Sequence, residues 1–200
     1  MNINKSELIN LFPTPLWTSM ISNFQEVNKK MYQYIKSLQS QNKSGMTKSN
    51  LVGWHSDYFN LNEEEPRFFI NAISSNLNNV FNEMGWDVKN QEVKITNMWS
   101  IVNIKEASNA RHIHSNNFIS AAYYVKAPDQ CGDIVFHDPR SAAVYRHPKI
   151  SKINNLNSNT FSIQPKEGLL VFFPSYLHHS VDINKSNEER IVISFNIDLK

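Results

Sequence analysis

The chain has 200 residues, 40% of them hydrophobic, 19% charged and 12% aromatic, with a formal net charge of +2. That length suffices for one domain with a real core, and so small a charge, with acids and bases mixed along the chain, gives no strong sign of a nucleic-acid or membrane-surface partner. The single cysteine, Cys131, excludes an internal disulfide and a cysteine-based zinc site, and fits a reducing compartment such as the cytoplasm.

In chain order, the N-terminal "MNINKSELINLFPTPLW" has no long apolar stretch before a small-residue cleavage site, so no secretory leader is expected. No apolar run approaches the roughly 18 residues of a membrane-spanning helix. The stretch "NFQEVNKKMYQYIKSL" repeats apolar residues at helical spacing (Phe24, Val27, Met31, Ile35 and Leu38), and Asn23 with Glu26 has the form of a capping box. A polar loop, "SQNKSGMTKSN", follows. A second helix is predicted from Glu63 to Met84, with acids at its positive end and Gly85 just past its last turn. Its buried stripe is Phe69, Ile73, Leu77, Phe81 and Met84.

After Gly85 the pattern changes to short strands. "VKITNMWSIVNI", "FISAAYYVKA", "DIVFH", "NTFSIQP", "GLLVFFP", "LHHSVDI" and "RIVISFNIDL" are rich in β-branched and aromatic residues and bounded by Gly, Pro, Asn and Asp. Seven strands without an intervening helix predict a mainly β fold, a sandwich or jelly roll, with the N-terminal helices covering one sheet. Residues 1–200 read as a single domain: a helical part over 1–90 packed on a β core over 91–200. No fixed-period repeat is present.

The chemistry concentrates in "ARHIHSNNFISAAYYV". Two of only seven histidines, His112 and His114, stand one residue apart at what reads as the entrance to a strand. Side chains two apart on a strand share a face, and two imidazoles on one face invite a metal. A third imidazole is available in "PKEGLLVFFPSYLHHSVDI". His179 shares its parity with Val181 and Ile183 and so points inward, leaving His178 on the polar side. In "ERIVISFNIDL", Ile191, Ile193, Phe195 and Ile197 form one face, while Arg190, Val192 and Ser194 form the other. An inward arginine downstream of such a histidine suits a carboxylate held near the metal.

The ordered set "FPTPLW", "GWHSDYFNL", "ARHIHSNNFISAAYYV", "VFHDPR", "PKEGLLVFFPSYLHHSV" and "RIVISFN" resembles the 2-oxoglutarate- and Fe(II)-dependent oxygenases, in particular a small bacterial and phage branch. The resemblance implies a double-stranded β-helix with Fe(II) as metal and 2-oxoglutarate and dioxygen as co-substrates. His112 and His179 then match the first and distal iron ligands, and Arg190 with Ser194 the clamp on the far carboxylate. His114 stands where many relatives carry Asp or Glu. As a third ligand it adds one positive charge to the site; alternatively it stands behind the ligands or on the substrate side, with water on the metal. A shift placing His114 first and Asn116 at the acid position fits less well, because an amide is a poor iron ligand.

Asn103, on the preceding strand, is a candidate for the co-substrate, and of Tyr123 and Tyr124 the second is favoured to enter the pocket. "HDPR", His137 to Arg140, reads as a surface turn, the alternative being an arginine at the mouth in contact with substrate, and "GWHSDYF" (Trp54, His55, Asp57) as an entrance or an anchor for the helices. Trp99 reads as core. The rival readings are a cupin-like metal protein, a histidine-rich zinc hydrolase or lyase, and a non-enzymatic jelly roll used for binding or assembly. The cupin reading lacks its usual later Glu, and the zinc reading leaves Arg190 and Ser194 without a role. Nothing in the residues selects a substrate or an oligomeric state.

Overall fold

The computed structural model describes residues 6–141 and 148–200. Two helices and eleven strands follow in the order β1 (Trp17–Met20), α1 (Phe24–Gln41), β2 (Asn50–Leu51), β3 (Trp54–His55), α2 (Glu64–Met84), β4 (Val93–Asn103), β5 (Ser108–His112), β6 (Ile119–Lys126), β7 (Ile134–His137), β8 (Thr160–Ile163), β9 (Leu169–Pro174), β10 (His179–Val181) and β11 (Arg190–Leu199). They form two antiparallel sheets, one of order β1-β9-β6-β11-β4-β3 and the other β2-β5-β10-β7-β8. Neither helix is long and apolar enough to cross a membrane.

Strand alternation divides the apolar residues between two cores. On β11, Ile191, Ile193, Phe195 and Ile197 face outward from the sheet pair and meet Val27, Met31 and Ile35 of α1 and Phe69, Ile73 and Phe81 of α2. The opposite face of the same sheet contributes Ala122, Tyr124, Val171, Phe173 and Val192, which pack with Ile134, Phe136 and Leu177 between the sheets. The helices therefore cover the six-stranded sheet, and the inner faces of both sheets enclose the second core.

Several expectations are corrected. The first helix starts at Phe24, but the Asn23 side chain makes no cap hydrogen bond, so the capping box is not formed. The second ends at Gly85 in the left-handed conformation (φ 66°), as its sequence predicts. Met84, expected in its buried stripe, is 36% exposed, and Val80 is buried in its place. The part before residue 90 is not only helical. β1 and β3 extend the six-stranded sheet at its two edges, and β2 extends the other sheet. β2 and β3 have two residues each, too short to show a period. The "ARHIH" stretch does not enter the following strand: it closes β5, a separate strand whose composition, Ser-Asn-Ala-Arg-His, has little intrinsic β preference.

Candidate active site

A cavity of about 580 Å³ opens between the two sheets. The six-stranded sheet lines it with alternate residues of β11 (Arg190, Val192, Ser194, Asn196) and with Tyr124 of β6; the other sheet contributes His112 and His179. The three imidazoles His112, His114 and His179 each bring a ring nitrogen within 4.8 Å of the other two.

Each histidine is positioned differently. His112 and His179 are direct partners across the β5–β10 ladder, so backbone pairing alone brings their rings together, 4.3 Å apart between centroids and tilted by 51°. In both, Nδ1 is close to the carbonyl two residues back: Ala110 O at 2.7 Å and Leu177 O at 3.0 Å. A carbonyl can only accept, so Nδ1 carries the proton and Nε2 presents its lone pair to the cavity. His114 lies past the end of β5, where its backbone N–H donates to Ser175 O at 3.0 Å. Its ring is held by stacking between Trp99 (5.4 Å, 27°) and His179 (5.0 Å, 6°), which replaces the strand alternation expected for it. The Nε2 atoms of His114 and His179 are 3.2 Å apart. Cis ligands at ~2.1 Å from one ion are ~3.0 Å apart at 90° and ~3.4 Å at the tetrahedral angle, so the observed spacing fits a shared cation.

Burial drives all three imidazoles towards the neutral, metal-binding form. His179 is pushed down to about 2, first by burial and then by His112 and His114; His114 falls to about 3 by burial and then by His112. His112 is also lowered, by burial above all. His178 lies outside the cavity lining and is half-buried, with its backbone carbonyl accepting from the N–H of His137.

Arg190 is 1% exposed. Its Nη1 donates to Cys131 O at 2.8 Å and Gly132 O at 2.9 Å, and it makes no ion pair with any carboxylate among the described residues. Burial lowers its pKa, opposed by Tyr124, Cys131 and Asp182. A buried guanidinium without a counter-charge is costly unless something anionic joins it, and the cavity it lines can admit a carboxylate. Tyr124 is 1% exposed, lines the same cavity, and has its hydroxyl pKa raised chiefly by burial. Tyr123 faces the helices and donates to Asn28 Oδ1 at 2.6 Å. Ser194 lines the cavity four residues along β11 from Arg190.

Asn103 is not brought to this cavity. Its Nδ2 donates to Asn109 Oδ1 at 3.0 Å, and its Oδ1 is packed against Gly53, where an added Cβ would meet it at 2.2 Å. The "HDPR" turn also stays away: Arg140 Nε and Nη2 bind the two oxygens of Asp138 at 3.0 and 2.8 Å. Trp99, by contrast, is not simply core. It is buried yet lines the cavity, with its indole Nε1 lacking a hydrogen-bond partner among the described residues. His55 stacks on it (5.7 Å, 9°) and Tyr58 meets it at 6.0 Å, so "GWHSDYF" supplies a cavity wall. The signal for Trp99 was available in its parity with Asn97 and Ile101, which also line the cavity.

Residues 97–196 match the protein family described as "Putative 2OG-Fe(II) oxygenase". The chain belongs to the 2-oxoglutarate- and Fe(II)-dependent oxygenases. No curated protein sequence matches it. Among solved structures, this oxygenase is similar to a prolyl-4-hydroxylase of Pseudomonas putida (TM-score 0.65, 10% identity, 92% of each chain covered). It is also similar to the collagen prolyl hydroxylase of Paramecium Bursaria Chlorella virus-1, solved with 2-oxoglutarate (0.59, 15% identity, 91% of this chain and 94% of that one). A third likeness is HygX of Streptomyces hygroscopicus, solved with nickel and 2-oxoglutarate (0.58, 11%, 92% and 82%). At these identities the likeness is one of fold. As an oxygenase of this family the protein is an oxidoreductase that takes Fe(II), 2-oxoglutarate and dioxygen, and the donor set of the cavity fits the metal and the dicarboxylate.

Proposed function

We propose that this oxygenase hydroxylates an as yet unidentified substrate, releasing succinate and carbon dioxide from 2-oxoglutarate. The observation that carries this reading is the convergence of three neutral imidazoles in one cavity with a buried, unpaired guanidinium. His112, His114 and His179 hold Fe(II). Arg190 takes the far carboxylate of 2-oxoglutarate, with the Tyr124 hydroxyl near it, while Ser194, roughly 13 Å further along β11 by the strand rise, lines the same cavity. The chemistry supplied by bound iron is the oxidative decarboxylation of 2-oxoglutarate by dioxygen, coupled to insertion of one oxygen atom into a C–H bond.

The chain's own residues bind, orient and exclude water. Ala110 O and Leu177 O keep Nδ1 of His112 and His179 protonated, so that each Nε2 stays a ligand. Cys131 O and Gly132 O fix the Arg190 fork and leave its remaining donors for a carboxylate. Phe173, Ile134 and Val192 form apolar walls that keep the site dry. Strands β4 to β11, which alternate between the two sheets except for the β7–β8 hairpin and lie in the orders β9-β6-β11-β4 and β5-β10-β7-β8, are read as a double-stranded β-helix, or jelly roll. The same reading makes residues 1–200 one domain, supported by the apolar core that α1 and α2 share with the six-stranded sheet.

The test is succinate formation from 2-oxoglutarate with Fe(II) and air, comparing the unaltered protein with His179→Ala and Arg190→Ala. Both variants are expected to lose it. Undiminished succinate from either variant rejects the corresponding assignment.

A further inference from the structure

The inner face of the six-stranded sheet is laid out in rungs. Tyr124, Val192 and Ile101 form one, Ala122, Ser194 and Trp99 the next, and Ser120, Asn196 and Asn97 the one after. Arg190 precedes them all, and Asn196 lies roughly 20 Å from it along β11 by the strand rise. His114 stacks on Trp99, so the histidine cluster stands over the middle rung, between the arginine and the asparagines. The co-substrate proposed above takes the arginine side, which leaves the asparagine side for the molecule to be oxidised.

That far end is polar without being charged. Its lining is Asn97, Asn117, Asn196, Ser115 and Ser194, whereas the lining cations stand elsewhere: Arg190 at the start of β11, Arg111 on β5 and Lys48 before β2. A relay of hydrogen bonds orients the amides. Ser175 Oγ donates to Ser120 Oγ at 2.7 Å, Ser120 Oγ to Asn196 Oδ1 at 2.8 Å, and Asn196 Nδ2 to Asn97 Oδ1 at 3.4 Å. On the loop side Thr96 Oγ1 donates to Asn117 Oδ1 at 2.6 Å, and Asn117 Nδ2 to Ser115 O at 2.9 Å. A hydroxyl has one proton to give, so the relay runs one way and ends with the Asn97 oxygen occupied.

Two groups at this end remain unspent. Asn97 Nδ2 and Ser194 Oγ make no hydrogen bond among the described residues, and neither is sealed in the interior as Asn28 Nδ2 is, so both open on the cavity that their residues line. Asn97 and Ser194 are half-buried diagonal neighbours across the β4–β11 ladder, about 7–8 Å apart. A fixed donor and a hydroxyl at that separation match the C=O and N–H of one planar amide. A carboxylate or an ammonium would meet no side chain of opposite charge there, at a greater cost than an unmade neutral hydrogen bond. An ammonium would also face the Asn97 donor.

We infer that the substrate is an uncharged amide, held with its carbonyl oxygen on Asn97 Nδ2 and its N–H on Ser194 Oγ. The Trp99 and Tyr58 rings form the wall beside it. This rests on the function proposed above for the metal and co-substrate, and it adds a substrate class and two specificity-determining residues.

The test titrates benzamide, N-methylbenzamide, benzoate and benzylamine into the full chain loaded with Zn(II) and saturating 2-oxoglutarate. The readout is the nitrogen-15 side-chain amide signal of Asn97, assigned by its absence from Asn97→Asp. Benzamide or N-methylbenzamide is expected to move that signal saturably and to bind at least about tenfold more tightly than benzoate or benzylamine. Tighter binding of benzamide identifies a terminal carboxamide, and of N-methylbenzamide a peptide-type amide. Ser194→Ala, whose hydroxyl has no protein partner to lose, is expected to weaken the amide about tenfold and to leave 2-oxoglutarate affinity as it was. The same titration with Zn(II) alone reads this end of the cavity without the co-substrate. Failure of the unaltered protein to bind 2-oxoglutarate would therefore count against the proposed function alone. Benzoate or benzylamine binding as tightly as the amides, no probe moving the Asn97 signal, or an unchanged amide affinity in Ser194→Ala would each overturn the inference.

Discussion

Replacing Arg190 by Met should separate binding from stability in opposite directions. The guanidinium is 1% exposed, faces the cavity, and meets two backbone carbonyls but no carboxylate. Removing one partner of a buried, charge-assisted pair costs about 2–5 kcal/mol, so 2-oxoglutarate affinity should fall by roughly 30-fold to several thousand-fold. The effect on the empty protein is different. Met fills similar space and removes a buried charge that lacks a counter-ion, which favours the variant. It also leaves Cys131 O and Gly132 O without their donor, at about 1–3 kcal/mol each, which opposes that gain. These contributions are of similar size and opposite sign, so folding stability should stay within about 2 kcal/mol of the parent. Calorimetric titration of 2-oxoglutarate into the Zn(II) protein, beside urea unfolding of the metal-free protein, measures both. An affinity within about threefold of the parent would refute the assignment of the carboxylate to Arg190.

Gly132→Ala should damage the same pair from behind. Gly132 has φ +89°, and an added Cβ would meet Asp182 O at 2.2 Å, so the turn that holds Arg190 must shift; unfolding and 2-oxoglutarate titrations should both show losses, of order 1–3 kcal/mol in stability. Asn103→Ala should cost about 1–2 kcal/mol in stability, because Asn109 Oδ1 loses its donor, and leave 2-oxoglutarate affinity unaltered. A large loss of affinity would return Asn103 to the site. The metal-free protein should lose stability as pH falls. His114 and His179 have folded pKa values of about 3 and about 2, well below the unfolded value, so between roughly pH 6.5 and pH 3 the unfolded chain binds more protons. Their contribution is whole above that window and declines on acidification by up to about 1.4 kcal/mol per pH unit per histidine, measurable as a falling urea midpoint. Added Zn(II) or Mn(II) should raise the Tm of the unaltered protein, and His112→Ala and His179→Ala should abolish the increase.

The parts that could be read from the sequence are those where one residue's direction depends only on its neighbours. The two faces of β11 follow from alternation over ten residues, which places Arg190 and Ser194 on one side and Ile191, Ile193, Phe195 and Ile197 on the other. The same parity argument turns His179 inward and His178 away. α2 shows its C-terminal boundary through Gly85 because only a left-handed residue closes that turn. What could not be read depends on distant pairing. β5 has a polar composition and exists because β2 and β10 flank it, so the histidine pair looked like the start of the next strand. His114 takes its direction from the rings of Trp99 and His179, partners that no local period predicts. Asn103 has the parity of Trp99 and Ile101, but Gly53 of the β2–β3 turn comes close enough to enclose its side chain. Trp99 looked like core because an apolar strand does not reveal that the space opposite it is hollow.

The direct pairing of His112 with His179 has a mechanical consequence. An ion gripping both would act as a rivet through the β5–β10 ladder, tying together two strands that otherwise meet over only a few rungs. Slow amide exchange of those rungs should then track occupancy by the ion, so that chelation loosens this corner of the sheet while the helix-backed side keeps its protection.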